Sequence, residues 1–366
     1  MKRNLIYAFI GGTLSLATFA GCSKSDSDKA GNQLPIEQLQ TKSLADFVNV
    51  IALPTYKNFQ TEGAKLKAAV TDLAANPSVA KQKAAQDAWR AVRVVWEQSE
   101  GFLIGPVDDD NYDPYMDTWP TDKNALNQLI AGNDPPTITV EYLEGETSEA
   151  ELTLRGFHPL EYLLWGADGN RDPATYTERE KQYMVALATD IDNNVQRLNK
   201  SWNEDNYGDN LINPGKNGSV YDNQKDAINA IANALIDICS EVGETKMAIP
   251  FESKDPSKSE STYSHNSIAD FRNNLQGALK VYICNNGQQT GTSLSDLVAA
   301  NNKSLDAQIK AQFEAAINSF DGFSGTTFEN AITQQGSIIQ NTLDQIEALQ
   351  TTLQDKLIPY LQTYLK

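Results

Sequence analysis

The sequence predicts an all-α protein of two packed helical lobes, each resembling a four-helix bundle. Three observations predict it. Apolar residues recur at spacings of three and four through every long segment. Strand-like alternation is scarce. A stretch rich in Gly, Asn and Pro, "NEDNYGDNLINPGKNGSVYDN" at 203–223, divides the helical pattern into halves. An N-terminal lobe is therefore expected over 38–205 and a C-terminal lobe over 206–366.

The first element is not part of the fold. "MKRNLIYAFIGGTLSLATFAGC" has a basic start (Lys2, Arg3), an apolar centre too short to span a bilayer stably, and small residues before a cysteine. Residues 1–22 read as a secretory signal, and "FAGC" resembles a bacterial lipobox in which Cys22 is lipidated. An ordinary cleaved signal is the alternative. The polar 23–37 segment, beginning "SKSDSDKAGNQ", reads as a flexible tether. The expected location is the bacterial cell envelope, lipid-anchored to the outer membrane on its periplasmic face or at the cell surface. No later segment is long and apolar enough to span, so membrane contact is expected through the anchor alone. The net charge of −18 becomes −20 once Lys2 and Arg3 are removed, which excludes nucleic acid as a partner. Cys239 and Cys284 would meet an oxidising compartment and can pair, or can stay buried thiols in their apolar helical surroundings.

In the first lobe, helices are expected over 42–75, with Pro54 as a kink, and from Pro77 through "AWRAVRVVWEQSEGFL". In that second helix Ala88, Val92, Val95, Ser99 and Phe102 form one stripe, and Trp89, Trp96 and Leu103 another. Arg90, Arg93, Glu97 and Glu100 fall at offsets 0, 3, 7 and 10, a single face. Spacing alone allows a solvated stripe steadied by Arg93–Glu97, or an inward seam with Glu97 and Glu100 as metal ligands. The aspartate-rich "GPVDDDNYDPYMDTWP" fits no EF-hand register. Asp117 can reach a site or cap the helix after Pro120.

"RGFHPLEYLLWG" (155–166) starts the next helix. Pro159 at the first helical position makes His158 the N-cap and places Glu161 at the third position, where it can reach back to a free N–H. Histidine is a poor cap, and an imidazole and carboxylate three apart can also share a cation. With only two histidines in the chain, a metal site must be rich in oxygen ligands. The second lobe repeats the style, with helices near 222–246, 264–285, 293–319 and 327–365. The last carries the stripe Ile339, Leu343, Ile346, Leu349, Leu353 and Leu357, with Pro359 interrupting its end. Around His265, Glu260, Ser261, Ser264, Ser267 and Asp270 crowd a helix start. Capping by Ser264 or Asn266 with Asp270 in solvent is the plain reading.

Together "GFHPLE" (G-x-H-x-x-E), "AWRAVRVVWEQSEGFLIGP" with "DTWP", "ESTYSHNSIADFRNNLQG" and "GTSLSDLV" resemble the imelysin family over roughly 38–360. The resemblance implies two helical halves with a site between them. It also implies that Arg93, Glu97, Glu100, His158, Glu161, Glu260, Ser264 and Asp270 line that site. The family is named for an insulin-cleaving membrane protease and filed among metallopeptidases, while related lipoproteins belong to periplasmic iron uptake. Two histidines among many carboxylates suit a harder cation than catalytic zinc.

The leading expectation is a lipoprotein that binds a metal ion, iron ahead of manganese, zinc or calcium, or an iron-bearing ligand. Its metal ligands would be His158, Glu161, Glu97 and Glu100. Arg93, Trp96, Asp117, Glu260, Ser261, Ser264 and Asp270 would complete the ligand-binding site. The alternatives are a metal-dependent peptidase, with Glu161 or Glu97 activating a metal-bound water, and a metal-free lipoprotein working through envelope protein partners.

Overall fold

The computed structural model describes residues 34–145, 148–216 and 218–365. The expected signal, the lipidated Cys22 and nearly all of the tether lie outside them. Pro35–Lys366 forms one compact unit. No strand occurs among the described residues, only an isolated bridge between Asn285 and Thr290. The fold is all-α.

Eight long elements build it. Helix α1 runs through Ile36–Asp46, a π-helical turn Phe47–Ala52, and Leu53–Ala75. Helix α2 is Val79–Ser99, capped by the Ser78 side chain and extended by a 3₁₀ turn Glu100–Phe102. Helix α3 is Phe157–Trp165, and α4 is Glu178–Asn203, begun by a Thr177–Glu180 capping box. Helix α5 joins Gln224–Ser240, a π-turn Glu241–Met247 and Ala248–Ser253. Helix α6 is Ser267–Ile283 and α7 is Lys303–Ser319. Helix α8 joins Gly336–Thr352, a π-turn Leu353–Leu357 and Ile358–Tyr364.

The three π-turns share one cause. Pro54, Pro250 and Pro359 each follow such a turn by two or three residues, and in each case the residue four back lies inside it. A proline offers no N–H to the carbonyl four residues earlier, and its ring clashes with that carbonyl. Widening the turn relieves both conflicts, so the helix continues. The first helix therefore starts at Ile36 rather than at residue 42 and passes Pro54 through a wide turn. Two other expected helices divide. The 293–319 segment becomes Leu294–Ala299 and α7, with Asn302 capping the second. The 327–365 segment becomes Phe328–Gln334 and α8.

Helix α1 packs along α4 and α2, α5 and α7 pack on α6, and α8 packs on α7 and α5. The two groups meet where α2 lies on α6. There the backbones touch. A Cβ on Gly277 would sit 2.1 Å from the Gln98 carbonyl oxygen, and one on Gly101 would sit 2.5 Å from the Ala278 nitrogen. Trp89, Trp96, Trp202, Tyr56 and Phe59 are fully buried, with Trp96 stacked on Phe59 at 5.6 Å between ring centroids. Those anchors set the rotation of α2, and with it the direction of its polar seam.

Candidate functional site

With Trp89, Val92 and Trp96 in the core, Arg93, Glu97 and Glu100 face inward and are buried, while Arg90 is half-buried at the edge. The seam is not a solvated stripe. Arg90 lies over the Trp165 ring at 4.7 Å and donates to the Ser264 carbonyl.

Asp117 ends the short helix Tyr112–Asp117 and is buried. Trp96 Nε1 donates to its Oδ2 at 2.7 Å, and Arg93 Nη1 lies against its Oδ1. Asp117 does not cap the helix after Pro120; Asp122 does. Gly156 brings His158 to Asp117. It takes φ +85°, and a Cβ there would lie 2.1 Å from the Met116 carbonyl oxygen, so only glycine lets the two chains approach. His158 Nε2 then reaches Asp117 Oδ1 at 3.0 Å.

The local reading of "GFHPLE" needs correction. Gly156, not His158, is the N-cap, and Phe157 is the first helical residue. Pro159 is third, still within the first turn where no N–H has a helical acceptor. Glu161 does not reach back. Its Oε1 accepts from Tyr263 N–H (3.1 Å), Ser264 N–H (2.7 Å) and Ser264 Oγ–H (2.6 Å), while Oε2 lies 3.5 Å from His158 Nδ1. Glu161 thus ties α3 to the loop before α6.

That loop carries Glu260 and Ser261 into the interior. Ser261 Oγ donates to Asp270 Oδ2 (2.5 Å), and Asn266 Nδ2 to Asp270 Oδ1 (2.7 Å). Asp270 is buried rather than solvated, and Asn266 holds the cap position without a side-chain cap bond. Arg93 Nη2 donates to Glu260 Oε1 at 2.8 Å and also lies against Glu97 Oε1; Arg93 Nε is 3.7 Å from Asp270 Oδ1.

Two residues not foreseen complete the cluster. Lys246 Nζ reaches Glu100 Oε2 at 3.0 Å, Glu260 Oε1 at 3.1 Å and Glu241 Oε1 at 3.3 Å. Asn274 Nδ2 donates to Glu97 Oε2 (2.6 Å) and Glu100 Oε2 (2.5 Å). Asn274, inside "RNNL", falls on the inner side of α6 three residues after Phe271 and four before Ala278, and a polar residue on that apolar stripe is the signal that marks it.

Electrostatics sharpen the picture. Burial penalises the charged forms of Arg93 and Lys246, but the surrounding carboxylates outweigh it and hold both well above their usual pKa. Burial works against His158⁺ as well, yet hydrogen bonds to Asp117 and Glu161 raise its pKa to about 9. Asp117 is driven far below the carboxylate range, because Arg93 and His158 overcome its burial. Glu97 and Glu100 are pushed well up by burial, and Asp270 to about 6. Six buried carboxylates (Glu97, Glu100, Asp117, Glu161, Glu260, Asp270) thus face three cationic groups (Arg93, Lys246, His158). A buried surplus of negative charge calls for protons or a cation. Glu260 Oε2 accepts no hydrogen bond, nor does Glu97 Oε1, although it touches the Arg93 guanidinium.

Among the described residues, three groups bring ligand atoms close enough to share an ion. They are Asp117, His158 and Glu260; Glu97, Glu100 and Asp117; and Glu97, Glu260 and Asp270. Glu161 belongs to none of them. A cavity of about 480 Å³ adjoins the cluster, walled by Glu100, Asp113, Asp117 and Glu241. Burial, with Asp117 and Glu241 beside it, raises Asp113 to about 7. His265 lies elsewhere, half exposed, its Nδ1 3.0 Å from Glu329 Oε2. Cys239 and Cys284 are free, buried thiols.

Comparison with known proteins gives this site its context. The chain is 29% identical over 333 residues to iron-regulated protein A of Synechococcus elongatus, covering 88% of this chain and 87% of that protein. A solved structure from Parabacteroides distasonis, described as an iron-regulated protein A precursor, superposes with a TM-score of 0.81 at 26% identity, covering 92% of this chain and 97% of that one. An imelysin-like protein from Psychrobacter arcticum shares the fold at a TM-score of 0.71 and 17% identity, covering 90% and 97%. The Imelysin family profile matches residues 52–356, and the chain belongs to the imelysin family.

Proposed function

We propose that this protein is an envelope-anchored lipoprotein that binds a metal ion, iron, in the buried acidic cluster as part of iron uptake. The observation that carries the reading is the surplus of buried carboxylate charge, with Glu260 Oε2 accepting no hydrogen bond and Glu260 close enough to Asp117 and the His158 imidazole to share an ion. Oxygen donors with one imidazole suit iron better than a thiolate-preferring ion. The names of the relatives from Synechococcus and Parabacteroides point the same way. Asp117, His158 Nε2 and Glu260 would hold the ion, with Glu97 and Glu100 beside them. Glu161 would act by orienting His158 through Nδ1, the part that carboxylates behind metal-bound histidines play. Arg93 and Lys246 would balance the remaining carboxylates. The acid-walled cavity would give a cation its way in. Attachment through Cys22 rests on the "FAGC" sequence.

Binding is favoured over peptide hydrolysis because both carboxylates that could activate a water are engaged: Glu161 accepts three hydrogen bonds through Oε1 and faces His158 Nδ1 through Oε2, while Glu97 lies against Arg93 and accepts from Asn274 Nδ2. Calorimetric titration of the purified chain with ferrous, manganous, zinc and calcium ions tests the reading. One ferrous ion per chain is expected, with affinity falling about tenfold or more in Asp117→Asn and His158→Ala. Equal affinity in both variants would sink the assignment.

A further inference from the structure

On the face of α2 turned away from the acidic cluster, a second cavity opens between α1, α2 and α6. Its volume of about 480 Å³ falls in the roughly 300–1,000 Å³ range of small-molecule sites. The chain is strongly acidic, yet no aspartate or glutamate lines this cavity, and two lysines, Lys57 and Lys280, do.

Lys280 is half-buried and donates to a neutral partner, Gln98 Oε1, at 2.6 Å. Among the described residues no carboxylate lies within ion-pair distance of either lysine, whereas the deeply buried Lys246 is surrounded by them. Burial alone depresses the Lys280 pKa, so its charge is uncompensated where it stands. The remaining polar lining is neutral amide and hydroxyl. The apolar floor comes from Ile51, Val94, Val95 and Phe102.

The cavity is also built, not left over. Pro54 has no N–H to give to the Val50 carbonyl, and the Asn286 side chain donates to that oxygen at 2.8 Å. This bond pins the 286–288 turn to the π-turn of α1, and Asn286 and Gln288 form part of the wall. On the opposite side, Gly277 lets α6 meet the Gln98 backbone, which fixes the Gln98 side chain beside Lys280.

We propose that this cavity binds a small organic anion, a carboxylate whose charge is taken by Lys57 and Lys280 and whose body lies on the apolar floor among neutral amides. Two lysines act as point charges without the arginine fork that reads phosphate bidentately. An apolar floor contributes only if the anion carries a carbon skeleton. The site is independent of the metal reading, since it shares no residue with the acidic cluster.

Calorimetry on the purified chain with succinate, neutral succinamide and inorganic phosphate tests it. Succinate is expected to bind saturably, more weakly as sodium chloride is raised, and succinamide not to bind. Loss of one charge-assisted hydrogen bond in Lys280→Met is expected to weaken succinate by about tenfold or more, with Lys280→Arg retaining most of the affinity. Should Lys280→Met lower the melting temperature, exposed Lys57→Gln serves instead and is expected to weaken succinate several-fold. Absence of saturable succinate binding, affinity unchanged in both lysine variants, or phosphate binding as tightly as succinate would each overturn the proposal.

Discussion

Glu161 accepts three hydrogen bonds from the loop that delivers Glu260 and Ser261, so the motif's carboxylate is a clamp as much as a neighbour of His158. Exchange for glutamine keeps the shape and removes the charge. Glu161→Gln is expected to cost about 1–3 kcal/mol of stability, read by urea unfolding, and to speed amide exchange at Tyr263 and Ser264. Unchanged exchange there would show that the loop is held by other contacts. Lys246 makes a sharper case. It bridges Glu100 and Glu260, and removing one partner of a buried charge network leaves the others uncompensated. Lys246→Met is expected to destabilise by about 3–5 kcal/mol, and Glu100→Gln in the same chain to recover part of that loss. Additive losses in the double variant would contradict the coupling. At this scale the sequence was only half legible. Offsets of 0, 3, 7 and 10 describe Arg90, Arg93, Glu97 and Glu100 equally well as a wet stripe or a buried seam. What decides is tryptophan packing on the neighbouring face, which no spacing rule contains. The helix start at Gly156 was misplaced because Pro159 suits any first-turn position.

Among the elements, α2 and α6 matter most, since the cluster hangs on their contact. Gly277→Ala would put a Cβ into the Gln98 carbonyl, and the helices have to separate. A loss of about 1–3 kcal/mol or more is expected, measured by thermal unfolding, together with weaker metal binding from displaced Asn274. Gly145→Ala, where nothing lies within 4 Å, is the matched control and is expected to be neutral or slightly stabilising. Equal effects would refute the close-approach argument. The long helices were legible from periodicity because each buries one face against a neighbour. The π-turns were not, although their cause is written in the sequence as Pro54, Pro250 and Pro359. Each wide turn inserts one extra residue into the helical phase, so positions before it no longer predict faces after it. Lys246, inside the turn that precedes Pro250, lies four residues after Val242 and seven after Cys239 on the buried face of α5, and a lysine on that apolar stripe is the one trace it leaves in the sequence.

Across the whole molecule, distant segments meet at one buried point: α2, the short helix Tyr112–Asp117, the start of α3, the loop before α6, and the π-turn of α5. The all-α class follows from periodicity alone. The meeting point does not, because separations of more than a hundred residues, such as Arg93 to Glu260, leave no local trace. Only the order of motifs shared with the imelysin family brought those residues together in advance. Asp117 rather than Glu161 sits where Arg93, Trp96 and His158 converge, and its position after a run of aspartates hid that role. Iron is proposed to occupy this point. Crystals grown with ferrous iron and measured across the iron absorption edge test it most directly. One anomalous peak bounded by Asp117, His158 and Glu260 is expected; a peak confined to the outer wall at Asp113 and Glu241, or none in the cluster, would contradict iron binding there.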